Sequence, residues 1–207
     1  MKKIAVVVGH NPVQKGAYAR KPLSTSEYPF NLSVANRMLE LSADEDFDIK
    51  VITRAYVGSY RRNKNRKTRS AATVEIRAAY KEVQEYNPDY SMELHFNGHS
   101  SKRAVGSEVL SSGSRGSVRF AKVCQAIQAD TFRHRGRRNR GIKFPKRGQR
   151  GHLSLHAASA PAIIVEPFFG SNPSDARKAF DLGVEGIAQM YIEVIKTLLV
   201  QDRELGR

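Results

Sequence analysis

The sequence predicts an α/β fold built on a mostly parallel sheet. Three observations carry the prediction. Short apolar, β-branched runs alternate along the chain with segments whose apolar residues recur at helical spacing. Several of those runs are unbroken, as suits strands buried on both faces. Three of them also deliver a chemically capable side chain at their end: His10, His95 and Glu166. In open α/β sheets the active crevice lies outside the carboxyl ends of the strands.

Each element has its own signature. Residues 4–8 (IAVVV) form the first buried strand. From Phe30, apolar residues recur at Val34, Met38 and Leu41, the stripe of a helix over 27–41. Residues 49–53 (IKVIT) are β-branched and extended. Residues 70–86 have helical spacing through Ala71, Val74, Ala78 and Val83, and stop at Asn87-Pro88 as a proline demands. YSMELHF (90–96) is a third strand and SEVLS (107–111) a fourth. Residues 117–131 are helical, and the arginine-rich 132–151 is expected to be a loop. AIIV (162–165) is another buried strand. A long helix ends the chain, with Val184, Ile187, Tyr191, Val194 and Leu198 on one face. No repeat or long linker divides the 207 residues, so a single domain is expected.

Composition narrows the class. An apolar fraction of 40% excludes wholesale disorder. No apolar stretch is long enough to span a membrane. The start, MKKIAVVVG, imitates a secretory signal, but its apolar core stops at His10 and Asn11, short of the roughly 7–15 residues required. Synthesis in the cytoplasm without a signal peptide is therefore expected. The single cysteine, Cys124, rules out an internal disulfide and a four-cysteine zinc module.

The net charge of +15 is a statement about partners. Seven basic residues and no acidic one lie between Arg54 and Arg69. Twelve basic residues and one acid, Asp130, lie between Arg115 and Arg150. Nucleic acid, anionic cell-wall polymers and membrane surfaces are physically equivalent attractors for such charge. Against nucleic acid, the basic loop lacks interleaved aromatics, tryptophan is absent and no nucleic-acid motif is present.

Two histidines and a carboxylate can hold Zn²⁺ and leave an open position for water, whose pKa then falls towards ~7. A further carboxylate can accept the water's proton and pass it to a leaving amine. His10, His95 and Glu166 supply three such groups, and Glu27, in STSEYPFNL, is the best-placed fourth. Each has a plainer alternative. Ser24 precedes Glu27 by three residues, the spacing of a capping box. His95 has a rival four residues on, His99, although Asn97-Gly98 argues against a helix that would carry both. Glu166 follows four apolar residues, where an unpartnered carboxylate is costly to bury, so it needs a partner or a task. His134, His152 and His156 fall in basic or polar loop, with His156 close enough to the Glu166 strand to line the cleft. Glu93 alternates to the same side of its strand as His95 and could partner a metal ligand.

With these residues assembled, the chain resembles the zinc-dependent N-acetylmuramoyl-L-alanine amidases of amidase family 3. These are the catalytic domains of bacterial cell-wall amidases and many phage endolysins. Five segments carry the resemblance in order, over about residues 3–198: VVVGHNP, SEYPFNLSVANRMLEL, VITR, SMELHFNGHS and APAIIVEPFFGSN. The resemblance implies a six-stranded mixed sheet with helices on both faces. It implies that His10, Glu27 and His95 hold one Zn²⁺ and that Glu166 is the catalytic glutamate. Asn97 and Asn172, within those segments, join His156 as candidate substrate-binding residues. The implied reaction is hydrolysis of the amide between the lactyl group of N-acetylmuramic acid and L-alanine in peptidoglycan.

Two departures stand out. Val7-Val8-Gly9-His10-Asn11-Pro12 replaces the usual Asp-Pro-Gly-His-Gly-Gly, and Glu93-Leu94 replaces Ser-Ile before His95. The short SSKRAVG leaves no room for an inserted regulatory helix, which implies an open, endolysin-like site acting on the cell wall. No separate wall-binding module is expected within 1–207. Arg133, Arg135, Arg137, Arg138 and Arg140, in the basic 133–150 loop, would attract anionic wall polymers in its place. The competing readings are a zinc hydrolase of another amide (an N-acyl amino acid or peptide), a basic nucleic-acid-binding protein and a non-catalytic wall binder.

Overall fold

The first strand is apolar on both faces, as suits a strand in the interior of a covered sheet. In the computed structural model, which describes residues 1–57 and 71–206, β1 (Lys2–Val8) lies between β2 (Phe47–Thr53) and β3 (Tyr90–Leu94), parallel to both. Next to β3 comes β6 (Ala162–Glu166), also parallel. β4 (Ser107–Ser111) pairs antiparallel with β6, and β5 (Asn139–Lys143) closes the sheet beside β4. The order is β2-β1-β3-β6-β4-β5, a six-stranded mixed sheet with one antiparallel pairing.

Period-two alternation sends β1 side chains to two cores. Ile4, Val6 and Val8 are fully buried in a core shared with α1 (Glu27–Leu41), α3 (Arg115–Thr131) and α5 (Pro173–Glu204). Ala5 and Val7 face the other way, onto Ala79, Tyr80 and Val83 of α2 (Ala71–Tyr86). The short α4 (His152–Ala157) covers the same side, with Leu155 against Leu110 and Ile164. Helices thus cover both faces. Full burial of one Val or Ile side chain is worth about 1.5–3 kcal/mol, so β1 alone anchors the sheet firmly.

The sheet corrects the expected loop at 132–151. β5 falls inside it, as does a 3₁₀ turn at Gly136–Arg138. β5 is an edge strand with no fully buried residue, so no apolar run marks it. The face of α2 also differs from its predicted stripe. Ala78 is exposed, Ala71 and Val74 are half-buried, and the inward residues are Glu75, Ala79, Tyr80 and Val83. Glu75 and Tyr80 turn inward because they have buried polar partners, Asn11 and Glu93. In α5, Gly183 (φ 64°) breaks the helix into two segments. The stripe Ile187, Tyr191, Val194 and Leu198 is buried beyond the break, and Val184 is half-buried. Ser70 and the basic residues Arg61 to Arg69 lie outside the described residues. No described helix is long and apolar enough to cross a membrane.

β1, β3 and β6 run in one direction, and their register pairs Val8 with Leu94 and Leu94 with Val165. The next residues along each strand therefore emerge at one level of the same sheet end.

Candidate metal centre

β1 stops at a glycine for a steric reason. The Gly9 N–H donates to the Leu94 carbonyl at 3.0 Å. A Cβ on Gly9 would lie 2.3 Å from His95 Cε1 and 2.7 Å from that carbonyl oxygen. His10 follows with φ at 67°, a left-handed conformation uncommon for a side chain of its size. Asn11 secures the turn. Its Oδ1 accepts the N–H groups of Val13 (3.0 Å) and Gln14 (2.7 Å), and its Nδ2 donates to Glu75 Oε2 at 2.9 Å.

Glu27 opens α1 and is buried, 1% exposed. Its Oε1 accepts the Ala17 N–H at 2.7 Å. Its Oε2 lies 2.9 Å from His95 Nδ1 and 3.2 Å from His10 Nε2. The capping-box alternative does not form. Ser26 occupies the N-cap without a side-chain bond, and the Glu27 carboxylate turns toward the two imidazoles instead. Burial works to raise the Glu27 carboxyl, but the rings of His10 and His95 hold it well below the usual carboxylate range.

One ligand atom each from His10, Glu27 and His95 lies within 4.8 Å of the others. The rings of His10 and His95 meet edge-on, with centroids 4.9 Å apart. His10 Nε2 is buried without a hydrogen-bond partner, although it sits close to Glu27 Oε2. An orphaned imidazole nitrogen aimed at an ionised carboxylate fits a divalent cation between them. The donor set, two imidazoles and a carboxylate, suits zinc and related ions.

Glu166 ends β6 and is 3% exposed. Its Oε2 has no hydrogen-bond partner, and its Oε1 is 3.7 Å from Arg150 Nη2. Burial pushes its carboxyl up to about 7, with the Arg150 guanidinium pulling the other way. With His10, His95, Arg54 and Arg150 it lines a small void of about 110 Å³. His10 and Arg150 also line an open groove of about 1130 Å³, together with Glu27, Arg20, Lys21 and His99. The small chamber thus adjoins the open groove, with His10 and Arg150 lining both.

The structure brings His10, Glu27, His95 and Glu166 together and leaves three other candidates elsewhere. Asn97 is buried and donates to Glu108 Oε1 at 3.0 Å, lining neither cavity. Asn172 caps α5. Its Oδ1 accepts from Ser174 and Asp175, and its Nδ2 donates to the Lys102 carbonyl, so its polar atoms are spent on backbone. His156 is exposed on α4, stacked on His152 at 4.0 Å, and lines neither cavity. His134, expected in a polar loop, is instead buried, with Nε2 3.0 Å from Asp175 Oδ1. Sequence reasoning gave no site role to Arg54 or Arg150. Arg54 lay in the VITR segment that carried the resemblance. Nothing separated Arg150 from the other arginines of its run.

The model of a family described as N-acetylmuramoyl-L-alanine amidase matches residues 4–197. No curated protein sequence matches the chain. Among solved structures, the catalytic domain of the CD27L endolysin targeting Clostridia difficile is 27% identical with a TM-score of 0.74, covering 95% of this chain and 98% of that one. The CwlD amidase from Clostridioides difficile, solved with the GerS lipoprotein, is 21% identical with a TM-score of 0.77, covering 98% and 100%. The catalytic domain of CwlV from Bacillus (Paenibacillus) polymyxa is 20% identical with a TM-score of 0.73, covering 96% and 98%. The last two likenesses establish the fold.

Proposed function

The chain belongs to the N-acetylmuramoyl-L-alanine amidase family, and from that premise we propose that it is a zinc-dependent peptidoglycan amidase acting as an endolysin. The observation that carries the reading is the convergence of His10, Glu27 and His95 beside Glu166, whose Oε2 has no hydrogen-bond partner. In this reading those three residues hold one Zn²⁺ within a catalytic domain of about residues 3–198. The ion would supply Lewis-acid polarisation of the scissile carbonyl and a lowered pKa for water. Glu166 takes the proton of the attacking water as the new C–O bond forms. It then delivers that proton to the L-alanine nitrogen as the C–N bond breaks. A carboxyl pushed up to about 7 is matched to both transfers at neutral pH. Glu27, tethered by the Ala17 N–H, stays ionised as a ligand must.

The groove suits the substrate. Arg20, Lys21 and Arg150 make its walls basic, and peptidoglycan stems carry carboxylates. The endolysin role rests on the likeness to an endolysin catalytic domain over nearly all of both chains. Arg135, Arg137, Arg138 and Arg140 are exposed along the turn before β5 and on β5 itself. Within the 133–150 segment they would draw the enzyme to anionic wall polymers.

The test is mass spectrometry of soluble products from purified peptidoglycan, with chelator and with zinc added back. Stem peptides with a free L-alanine amine, lost on chelation and restored by zinc, are expected. Cleavage of a different bond, or no product from folded zinc-loaded protein, would overturn the proposal.

A further inference from the structure

We infer that Glu93 is a positioning residue that fixes which nitrogen of His95 faces the metal, and that Arg54 and Tyr80 hold Glu93 in place. The inference rests on the proposed role of His95 as a ligand. It goes further, because it assigns the ligating atom and a buried relay behind it.

Both ring nitrogens of His95 have carboxylate neighbours. Nδ1 is 2.9 Å from Glu27 Oε2, and Nε2 is 2.8 Å from Glu93 Oε1. Glu93 precedes His95 by two residues, so strand alternation puts the two side chains on one side. Glu93 is completely buried, and a buried carboxylate persists only when paired and hydrogen-bonded. Its Oε1 accepts from the Arg54 guanidinium, which follows β2, and its Oε2 accepts the Tyr80 hydroxyl of α2 at 2.8 Å. Three elements thus converge on one carboxylate. That carboxylate is turned toward His95 and lines the small chamber, not the open groove.

The consequence is chemical. An ionised carboxylate only accepts hydrogen bonds, so Glu27 and Glu93 make the same demand on the two ring nitrogens. With a cation between Glu27 and Nδ1, that nitrogen must offer its lone pair, and Glu93 then holds the remaining proton on Nε2. The lone pair of the neutral ring then sits on Nδ1, the nitrogen that faces Glu27. A ring whose outer N–H is held this way cannot flip to offer Nε2, and its basicity toward a cation rises. The alternative is that Glu93 only neutralises Arg54 and would do the same with any neighbour in place of His95.

Two measurements separate these readings. Nitrogen NMR of the ¹⁵N-histidine-labelled protein loaded with Zn²⁺, with the His95 signals assigned by their loss in His95→Ala, is expected to give Nδ1 coordination and a protonated Nε2. Coordination through Nε2 would overturn the inference. Competition for Zn²⁺ with a chromophoric chelator is expected to give a roughly 10–100-fold weaker affinity in Glu93→Gln. If that variant fails to fold around an uncompensated Arg54, Arg54→Met combined with Glu93→Gln removes both buried charges, and the same loss is expected. Wild-type affinity in either folded variant would also overturn it. Failure of the wild-type protein to bind Zn²⁺ at all would be a different result, striking the metal-centre reading on which the inference depends.

Discussion

Replacing Glu166 with glutamine separates the energetic penalty of this carboxyl from its use. The side chain is 3% exposed and its Oε2 has no partner, so the ionised form is poorly solvated. Burial lifts the group from 4.5 to about 7. A folded-state pKa above the unfolded one means that the native chain holds the proton more tightly. The stability this provides is full below pH 4.5 and is lost as pH rises through about 7. At about 1.4 kcal/mol for each pH unit, the loss approaches ~3 kcal/mol in metal-free protein. Glutamine has the same shape and never ionises. Glu166→Gln should therefore gain on the wild type as pH rises from 4.5 to 8 and then level off. Any offset at pH 4.5 reports the intrinsic fit of the amide. For a domain of this size ~3 kcal/mol corresponds to roughly 6–12 °C in Tm. The assay is a pair of thermal unfolding series in chelator across that range. Zinc-loaded Glu166→Gln should meanwhile lose roughly 10²–10⁴ in turnover, the usual worth of general acid–base catalysis. A stability difference that stays flat with pH would refute the picture of a desolvated, poised carboxyl, whatever happens to the rate.

Other perturbations probe the remaining parts of the site. His10→Ala and His95→Ala should each lose bound zinc by elemental analysis while keeping the far-ultraviolet spectrum of the fold, and unchanged metal content would break the ligand assignment. Gly9→Ala introduces a Cβ 2.3 Å from His95 Cε1, so it should weaken zinc binding and destabilise the fold by about 1–3 kcal/mol, read by chelator competition and denaturant titration. A variant indistinguishable from wild type would mean that the strand end is not packed as described. Binding to purified cell walls should weaken steeply between low and high salt, and replacing Arg137, Arg138 and Arg140 with glutamine should flatten that dependence. Salt-indifferent binding would remove the attraction role from this segment.

Much of the architecture was legible because buried parallel strands write themselves as apolar runs. IAVVV and AIIV leave little doubt about β1 and β6, and their ends pointed to His10 and Glu166. β5 was not legible. It is an edge strand of sequence NRGIK whose pairing comes from backbone, and no side-chain pattern records that. The face of α2 was misread for a related reason. Apolar spacing pointed to Ala78, but the helix is oriented by Glu75 and Tyr80, polar residues whose partners lie far along the chain. Long-range polar pairing also hid the burial of His134 against Asp175. Asn172 lay in a segment rich in functional candidates, yet its position before Pro173 was itself the signature of a helix N-cap.

The geometry of the centre follows from the sheet more than from the loops. Two backbone bonds set its level: Gly9 N–H to the Leu94 carbonyl at 3.0 Å, and His95 N–H to the Val165 carbonyl at 3.2 Å. Together they bring the ends of β1, β3 and β6 into line, so His10, His95 and Glu166 emerge around one point. A one-residue slip in β3 would reverse its faces, sending His95 and Glu93 to the opposite side from Arg54 and Tyr80. The fully buried strands make that slip prohibitive, since Met92 and Leu94 would exchange places with Glu93. Glu27 is the exception, since it comes from the start of α1. Both of its oxygens are held by backbone, Oε1 by the Ala17 N–H in the loop after β1 and Oε2 by the Phe96 N–H just past β3 at 3.3 Å. The second of these bonds matters more, because Phe96 directly follows His95. The peptide unit that joins His95 to Phe96 thus links one candidate ligand to the other.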